Sequence, residues 1–514
     1  MALKARYEQL STDRSQFLQR ARHNALLTLP SLMPLEGQTG ASHLVEPYQG
    51  LGARGVVHLS SRMLVGFLPA GRPYMRLDLP PEIKLAAQGE EDTATTKGLA
   101  LSERLVQGEV EASGWRESTL MTLQQLLVAG SAVEQMLDDN KIRVFRLDQF
   151  VVRRNHDGTI LELIIQEKFK RDATPVELTN PKANGGTTTM APNQDEEVEL
   201  YSGMKMITEG SRRFYRRTQE WGDGQAASES TTWELKDFPY LALRWSATPG
   251  EDYGRSKVEE HIGDLRSLDA LEKAQLEMAA MAARNFVMIA PGAGAAGMKN
   301  RLARAINGDV VVGDPDSVEL KSFDNQSGYQ LTAQQVQILR ENLAQAFLLS
   351  SAGQRNAERV TAKEIERDIQ ELESSLGGQF STLSLEMMQR RTQLLIGNMK
   401  VQQKLPPFPD GTVNPVILTG LEALSRERDV VRAQQAGEVV RQFLGADESA
   451  RHVVKLDKIL GRALVGLGFE DAVRTEDEAA ALRAQEQQQQ QQQELINATA
   501  PGVAKELASK QGGQ

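Results

Sequence analysis

The sequence predicts an α+β protein, mainly helical, and three observations carry that prediction. Between Tyr253 and Lys400 two long stretches repeat apolar residues every three or four positions, around a compact Gly-rich segment and a short polar loop. From Lys141 to about residue 245 the pattern alternates instead, as strands do. The hydrophobic fraction is 40%, and the 42 glycines bring the chain into the range of ordinary folded proteins. A length of 514 residues then suffices for roughly three to four domains of about 150 residues.

Residues 12 to 139 read mainly as helix. Phe17, Ala21 and Ala25, and then Val57, Met63, Leu64 and Phe67, fall on apolar faces, and a further helix is expected from Trp115 to Met136. Pro30, Pro34, Pro69, Pro73, Pro80 and Pro81 punctuate the connections. In the alternating section, Val151 to Arg154 and Ile160 to Ile164 flank Asn155-His156-Asp157-Gly158, whose Asp-Gly step suits a tight hairpin turn. More strands are expected at 197 to 207, 212 to 221 and 231 to 245.

The first long helix follows Gly254, which supplies a turn, and Ser256, which suits an N-cap. Val258, Ile262, Leu265, Leu268 and Leu271 share one face, and Glu259, Glu260, Asp264, Glu272 and Glu277 occupy much of the rest. The run Pro291-Gly292-Ala293-Gly294-Ala295-Ala296-Gly297 ends any helix. A basic stretch with Lys299, Arg301 and Arg304 leads to Asp309-Val310-Val311-Val312-Gly313, and Val318, Leu320 and Ser322 alternate like a strand. We read a small α+β insertion that closes near Gly328. A second helix begins near Leu331 or Thr332 and carries Val336, Leu339, Leu343 and Phe347.

The polar loop Ser350 to Arg359 interrupts that helix, and Thr361-Ala362-Lys363-Glu364 has the form of a capping box. From there Ile365, Ile369, Leu372, Leu376, Phe380, Leu383 and Met387 repeat at helical spacing, weakened only at Gly377-Gly378. Beyond Pro415 the chain reads as helix again. Residues 476 to 514, with an unbroken run from Gln487 to Gln493, read as a helical or disordered tail. Helix, insertion, helix and loop in that order suit a wall around a hole better than a catalytic pocket.

Several function classes lose support. With no Cys, the chain has neither disulfides nor thiol catalysis, which fits a reducing compartment. No run approaches the ~20 apolar residues of a membrane span, and the N-terminus lacks the apolar core of a signal peptide. Gly50-Leu51-Gly52-Ala53-Arg54-Gly55 is a literal G-x-G-x-x-G, but Pro47 spoils the preceding strand and no βαβ unit surrounds it, so it reads as the tight start of a helix. No G-x-x-x-x-G-K-[ST] loop exists, so any ATP is hydrolysed by another protein. The six His, at 23, 43, 58, 156, 261 and 452, form no ligand pair. Glu90-Glu91-Asp92, Asp138-Asp139 and Asp195-Glu196-Glu197 read as solvated surface. No metal, cofactor or enzymatic activity is expected. The competing enzyme reading is a metal-dependent hydrolase built on Asp138 and Asp139.

Five blocks in fixed order are similar to a known family. They are Gly52-Ala53-Arg54-Gly55 with its helix through Pro69, and Leu126-Leu127-Val128-Ala129-Gly130. Next come Tyr253-Gly254-Arg255-Ser256 through Leu268, Glu358-Arg359-Val360-Thr361-Ala362 through Gly378, and Thr419-Gly420-Leu421-Glu422-Ala423-Leu424. In these the chain resembles the portal, or head-to-tail connector, proteins of short-tailed bacteriophages (podoviruses).

The resemblance implies a ring of subunits, typically twelve, at one capsid vertex in the virion, assembled in the host cytoplasm. Double-stranded DNA would enter and leave through its central channel. It implies a wing (1-256, helical and then β-rich), a stem helix (257-290), a clip (291-330) and a second stem helix (331-349). A tunnel loop (350-360), a long wing helix (361-404), a crown (405-475) and the Gln-rich tail (476-514) would follow. Residues 174 to 195 and the tail align with nothing in the family. Implied partners are further copies of the chain, duplex DNA without sequence preference, the terminase large subunit, major capsid and scaffolding proteins, and tail adaptor and internal core proteins; no membrane is involved. A scaffold or adaptor without a channel is the alternative.

Within that frame Arg355, Asn356, Glu358 and Arg359 are the expected DNA-facing loop residues, since cyclic closure turns each into a collar of side chains. Lys299, Arg301 and Arg304 are the expected clip contacts for terminase and tail, where charge steers encounter. The net charge of -10 argues against a general nucleic-acid binder, which is normally basic. Twelve copies at -10 each would carry on the order of -120 facing a duplex with one charge per ~1.7 Å. A bore that is acidic lets a polyanion slide.

Overall fold

The computed structural model describes residues 2–38, 42–69, 73–78, 93–170, 197–210, 212–282, 286–289, 295–306, 318–321, 326–349, 370–405 and 414–416, with Leu178, Pro291, Val310 and Asp316 singly. Among them the helices in chain order are α1 (Leu3–Leu26), α2 (Leu51–Phe67), α3 (Thr93–Ala112), α4 (Trp115–Ala129), α5 (Lys257–Glu260), α6 (Ile262–Ala282), α7 (Ala295–Arg304), α8 (Gln326–Ala346), α9 (Gln379–Leu383) and α10 (Arg390–Val401). The strands are β1 (Arg76–Asp78), β2 (Ser131–Met136), β3 (Ile142–Phe145), β4 (Phe150–Arg154), β5 (Ile160–Lys170) and β6 (Glu197–Glu209). They continue with β7 (Arg212–Trp221), β8 (Thr231–Glu234), β9 (Tyr240–Arg244), β10 (Phe286–Ile289), β11 (Val318–Lys321) and β12 (Asn414–Val416). Helix and sheet thus coexist, with helix the larger share. None of the described helices is long and apolar enough to cross a membrane.

The chain divides into two compact units. The first comprises Met1–Leu64, Glu117–Gln135 and Arg143–Glu358. Its antiparallel sheet β4-β5-β6-β7-β8 is built from neighbours in sequence. The Asp157-Gly158 turn forms as expected: Gly158 takes φ 84°, and Asp157 Oδ1 accepts from the Thr159 amide at 2.8 Å. Helix α1 lies on one face of that sheet, where Tyr7 and Leu10 join Val151, Ile164 and Tyr201 in a buried cluster with Leu3 against it. Gly203 makes the approach feasible, because a Cβ there would stand 2.5 Å from Leu3 Cδ2. Buried Arg14 donates from Nη1 to the carbonyls of Leu147, Asp148 and Phe150 at 2.6 to 3.0 Å, which ties the helix to the loop before β4.

The helix expected from Trp115 to Met136 is half right. It stops at Ala129; Gly130 takes φ 79°, and Ser131–Met136 is a strand paired with Tyr240–Arg244 in the three-stranded sheet β3-β2-β9. Ala, Glu, Gln and Met favour helix locally, but a partner strand some hundred residues away decides the outcome.

The second unit comprises Val65–Arg116, Met136–Ile142 and Arg359–Gln514. Its organising contact is between the wholly buried Trp115, whose indole N–H donates to the Asn140 carbonyl at 2.9 Å, and the turn that Asn140 forms at φ 65°. Asn140 Nδ2 donates to Glu109 at 2.6 Å, Asn398 donates back to Asn140 Oδ1 at 3.2 Å, and Lys404 reaches Glu109 at 3.0 Å. Phe67 and Phe380 stack with centroids 4.3 Å apart.

The long helix expected from Thr361 is broken where it was expected only to weaken. Gly377 and Gly378 take φ 58° and 86°, a pair of left-handed residues that no helix continues through. Helix α9 follows, then a π-helical stretch Ser384–Gln389, then α10. The capping box at Thr361 to Glu364 lies outside the described residues, as do all of 476-514 and most of 174-195 and 405-475.

Candidate functional site

Helices α6 and α8, of 21 residues each, lie side by side and run antiparallel. The His261 ring meets Phe347 at 5.9 Å, and Glu272 receives Arg340 Nη2 at 2.9 Å. At 1.5 Å per residue each helix is about 31 Å long. The same pairing carries on beyond the helices: Phe286 stands opposite Lys321 and Ile289 opposite Val318 in an antiparallel ribbon. Two helices therefore hand over to two strands, with α7 at the far end.

Two expectations change here. Residues 286 to 289, read as the end of the first long helix, form a strand, and that helix ends at Ala282. The second helix starts at Gln326, before Leu331. The first error has a distant cause: Phe286–Ile289 continues the apolar run of the helix but pairs with Val318–Lys321, the strand expected from the alternation of Val318 and Leu320.

The apolar face read from the sequence is the packing face. Val258, Leu265, Leu268, Val336, Leu343 and Phe347 are all buried. Helix α8 also carries a second stripe that the periodicity did not isolate. Leu331 and Ile338, seven apart and thus on one face, are 64% and 48% exposed. They point away from Val336 and Leu343, since two residues turn a helix by about 200°. Leu276 and Met281 on α6, and Tyr329 on α8, are comparably exposed. The signal was legible as a second set of positions seven apart, off the buried face.

The root of the helix pair is where three of the sequence blocks converge. Gly130 and Gly254 meet backbone to backbone: a Cβ on the first would lie 2.5 Å from the Gly254 carbonyl, and one on the second 2.4 Å from the Gly130 carbonyl. The Gly254 amide donates to Ser131 Oγ at 2.8 Å. Ser256 caps α5 as expected, accepting from the Glu259 amide at 3.0 Å, and Asn24 Nδ2 reaches the same hydroxyl at 2.9 Å. The G-x-G-x-x-G motif proves to be a packing device. A Cβ at Gly52 would meet the Leu27 carbonyl at 2.4 Å, and one at Gly55 the Phe347 ring at 2.6 Å. Helix α2 starts at Leu51, the tight start that was expected. Next to Phe347, Leu348 takes φ 57°, and its carbonyl is 3.1 Å from His58 Nε2.

Charge at this root is largely neutralised in pairs. Arg255 bonds Glu251 and, at 2.8 Å, Glu259, which Arg20 also approaches at 3.4 Å. The two carboxylates raise the Arg255 pKa, and the Arg255 hydrogen bond holds Glu251 below the usual carboxylate range. Burial, and then Lys257, push the His261 imidazole down; burial and then Arg266 do the same to His23, which accepts from Arg266 at 2.8 Å. These imidazoles therefore stay neutral at pH 7.

Of the residues singled out for function, Lys299, Arg301 and Arg304 lie exposed on α7, the helix that also carries buried Met298. Arg355, Asn356, Glu358 and Arg359 lie outside the described residues. Asp139 is an exposed partner of Lys141 at 2.7 Å, and among the described residues no group of three His, Cys, Asp or Glu side chains could hold a metal.

Residues 1–474 match the family described as bacteriophage head to tail connecting protein. The chain is similar to the portal protein of Enterobacteria phage T3, at 29% identity over 94% of this chain and 90% of that protein. It is also similar to the portal protein of Escherichia phage T7, at 30% identity over 84% of this chain and 80% of that one. Among solved structures, the neck of an empty GTA particle superposes with a TM-score of 0.38 at 14% identity, over 76% of this chain and 87% of that one, which is too loose to argue from.

Proposed function

This chain belongs to the bacteriophage head to tail connecting proteins and serves as a portal or connector of a phage virion; from that premise we propose that its copies close into a ring of twelve, whose channel passes duplex DNA during packaging and ejection. The observation that carries this reading is the second apolar stripe of α8. Leu331 and Ile338 face outward from a helix whose other side is already packed, and a neighbouring copy is the partner that would cover them. A head-to-side contact of this kind is heterologous and closes into a ring when its rotation divides a full turn.

In this reading 257-290 and 331-349 form the stem and 291-330 the clip, with the strand pair as its neck. Residues 1-256 and 361-404 form the wing, 405-475 the crown and 476-514 the tail. Lys299, Arg301 and Arg304 on α7 present the clip to a terminase large subunit and then to a tail adaptor. Arg355, Asn356, Glu358 and Arg359 in 350-360 face DNA. The capsid vertex is the ring's site, host cytoplasm its place of assembly, and capsid, scaffolding and internal core proteins its further partners. Catalysis belongs to the terminase, and the acid excess keeps the bore from gripping its cargo.

Electron microscopy of the purified protein should give annular particles with a central hole. Replacing Leu331 and Ile338 by Asp should leave a folded monomer, with unchanged helical content, that sediments without forming rings. Particles of wild-type protein lacking an axial opening would leave only a scaffold or adaptor role.

A further inference from the structure

We propose that the open part of the β4–β8 sheet face, along the row Arg153, Lys205 and Arg216, is a docking surface for the phosphate backbone of duplex DNA. The row follows from strand register. Arg153 stands opposite Glu162, Glu162 opposite Lys205, Lys205 opposite Arg216, and Arg216 opposite Thr232. Residues opposite one another in a sheet project from the same face. Four adjacent strands thus present Arg, Glu, Lys and Arg in a line, and three strand spacings of about 4.8 Å make it roughly 14 Å long.

This face is open here and covered next door. Gly203 and Ile164, each two residues along its strand from the row, lie beneath α1, whose Arg6 reaches out to Glu162 at 2.7 Å. Arg153 and Lys205 are exposed, Arg216 is partly so, and Thr232 at the end of the row is exposed.

The charge is left unbalanced by the chain itself. Glu162 is the one carboxylate in the row, and Arg6 and Arg153 already engage it, the latter at 3.5 Å. Arg216 has Glu209 only at 4.0 Å and otherwise lies over the Phe214 ring at 5.8 Å. Like charges directly opposite in neighbouring strands cost stability, and Lys205 and Arg216 are such a pair. A bound anion relieves that repulsion. The row belongs to a chain whose net charge is -10, so it runs against the average.

The shape selects the anion. The row stands on a sheet face beside half-buried Ile207 and Phe214, and its cationic side chains suit a line of phosphates, contacts that position a duplex without reading its bases. One DNA strand carries a charge every 3.4 Å of axis, so about four phosphates run past a row of this length. The inference rests on the phage origin of the family and does not require that DNA pass between the stem helices.

The test uses the full-length protein and two probes, a linear duplex and a covalently closed circular plasmid, which cannot thread a ring. Wild type should bind both at 50 mM salt. Three phosphate contacts make affinity fall roughly 40-fold between 50 and 200 mM salt, whereas one contact gives less than about fourfold. Lys205→Gln with Arg216→Gln should shift both probes from the first behaviour to the second, and Lys205→Glu with Arg216→Glu should abolish binding to the plasmid. Arg355→Ala with Arg359→Ala should leave plasmid binding as in wild type even where packaging fails, so that this inference and the conduit fail separately. Circular dichroism and sedimentation establish that the variants fold and assemble. Unchanged plasmid binding by the Gln variant overturns the proposal, as does absence of plasmid binding by wild type. Charge reversals that alter subunit association while sparing DNA binding would assign the row to a second copy and overturn it too.

Discussion

Gly130 and Gly254 approach so closely that neither has room for a methyl group, each being backed by the other's carbonyl oxygen. The contact joins the end of α4 to the start of the helix pair. The Trp245 amide completes it by donating to the Gly130 carbonyl at 2.9 Å.

Gly254→Ala should therefore destabilise the protein by about 3 kcal/mol or more, because the obstacle is backbone and cannot turn aside. Gly263→Ala, in the same helical region with open space around it, should change stability by less than about 1 kcal/mol and serves as the control. Thermal unfolding reads both; equal midpoints for the two variants would contradict the packing described.

Asn140 should be replaceable by Gly at a smaller cost than by Ala. Both variants lose the side-chain bonds to Glu109 and Asn398, but the φ of 65° suits Gly and strains Ala. The Ala variant should lose about 2 kcal/mol or more. Trp115 fluorescence during urea unfolding reports on the same contact, since its indole bonds the Asn140 carbonyl.

Acid should weaken the fold in a defined window. The Asn140 hydrogen bond and then Lys404 hold Glu109 low; the Arg255 hydrogen bond holds Glu251 low. Burial raises Glu162, but the Arg6 hydrogen bond and the charges of Arg6, Arg153 and Lys205 together carry it below the usual range. A depressed carboxylate contributes stability that is complete above its unfolded pKa, about 4.3 for Glu, and is lost as pH falls through the folded value. Glu167 acts oppositely: burial raises it against the pull of Arg143, so protonation relieves it first. Melting temperature should hold or rise slightly as pH is lowered toward about 4.5 and then fall. Glu162→Gln should flatten the lower part of that curve.

Replacing Arg355 and Arg359 by Ala should leave ring formation intact and impair DNA packaging or retention. Filled, infectious particles at wild-type yield would remove both residues from the mechanism.

Local chemistry was legible where a residue acts on its own neighbours. Ser256 bonds an amide three residues on, Gly158 closes a turn, and Leu265 and Leu268 follow a period that needs no partner to be seen. What was missed depends on distant segments. Ser131–Met136 has helix-favouring residues yet pairs with Tyr240–Arg244, and Phe286–Ile289 continues an apolar rhythm but is claimed by Val318–Lys321. The glycines of Gly50 to Gly55 were visible as a motif; the purpose of Gly52 and Gly55, clearance for Leu27 and Phe347, was not, because both lie elsewhere in the chain. Likewise the cationic row joins Arg153, Lys205 and Arg216 from three strands, and only register aligns them.

The divided course from residue 370 to Val401 has a bearing on how such chains diverge. In an unbroken α-helix one inserted residue rotates everything beyond it by about 100°. Here two left-handed glycines and a wider-wound turn of six residues separate three short rods, and a π turn is itself the shape that one surplus residue takes when a helix absorbs it. Insertions and deletions in this stretch should be tolerated across descendants, each re-phasing its own rod while Phe380 and Asn398 keep their places.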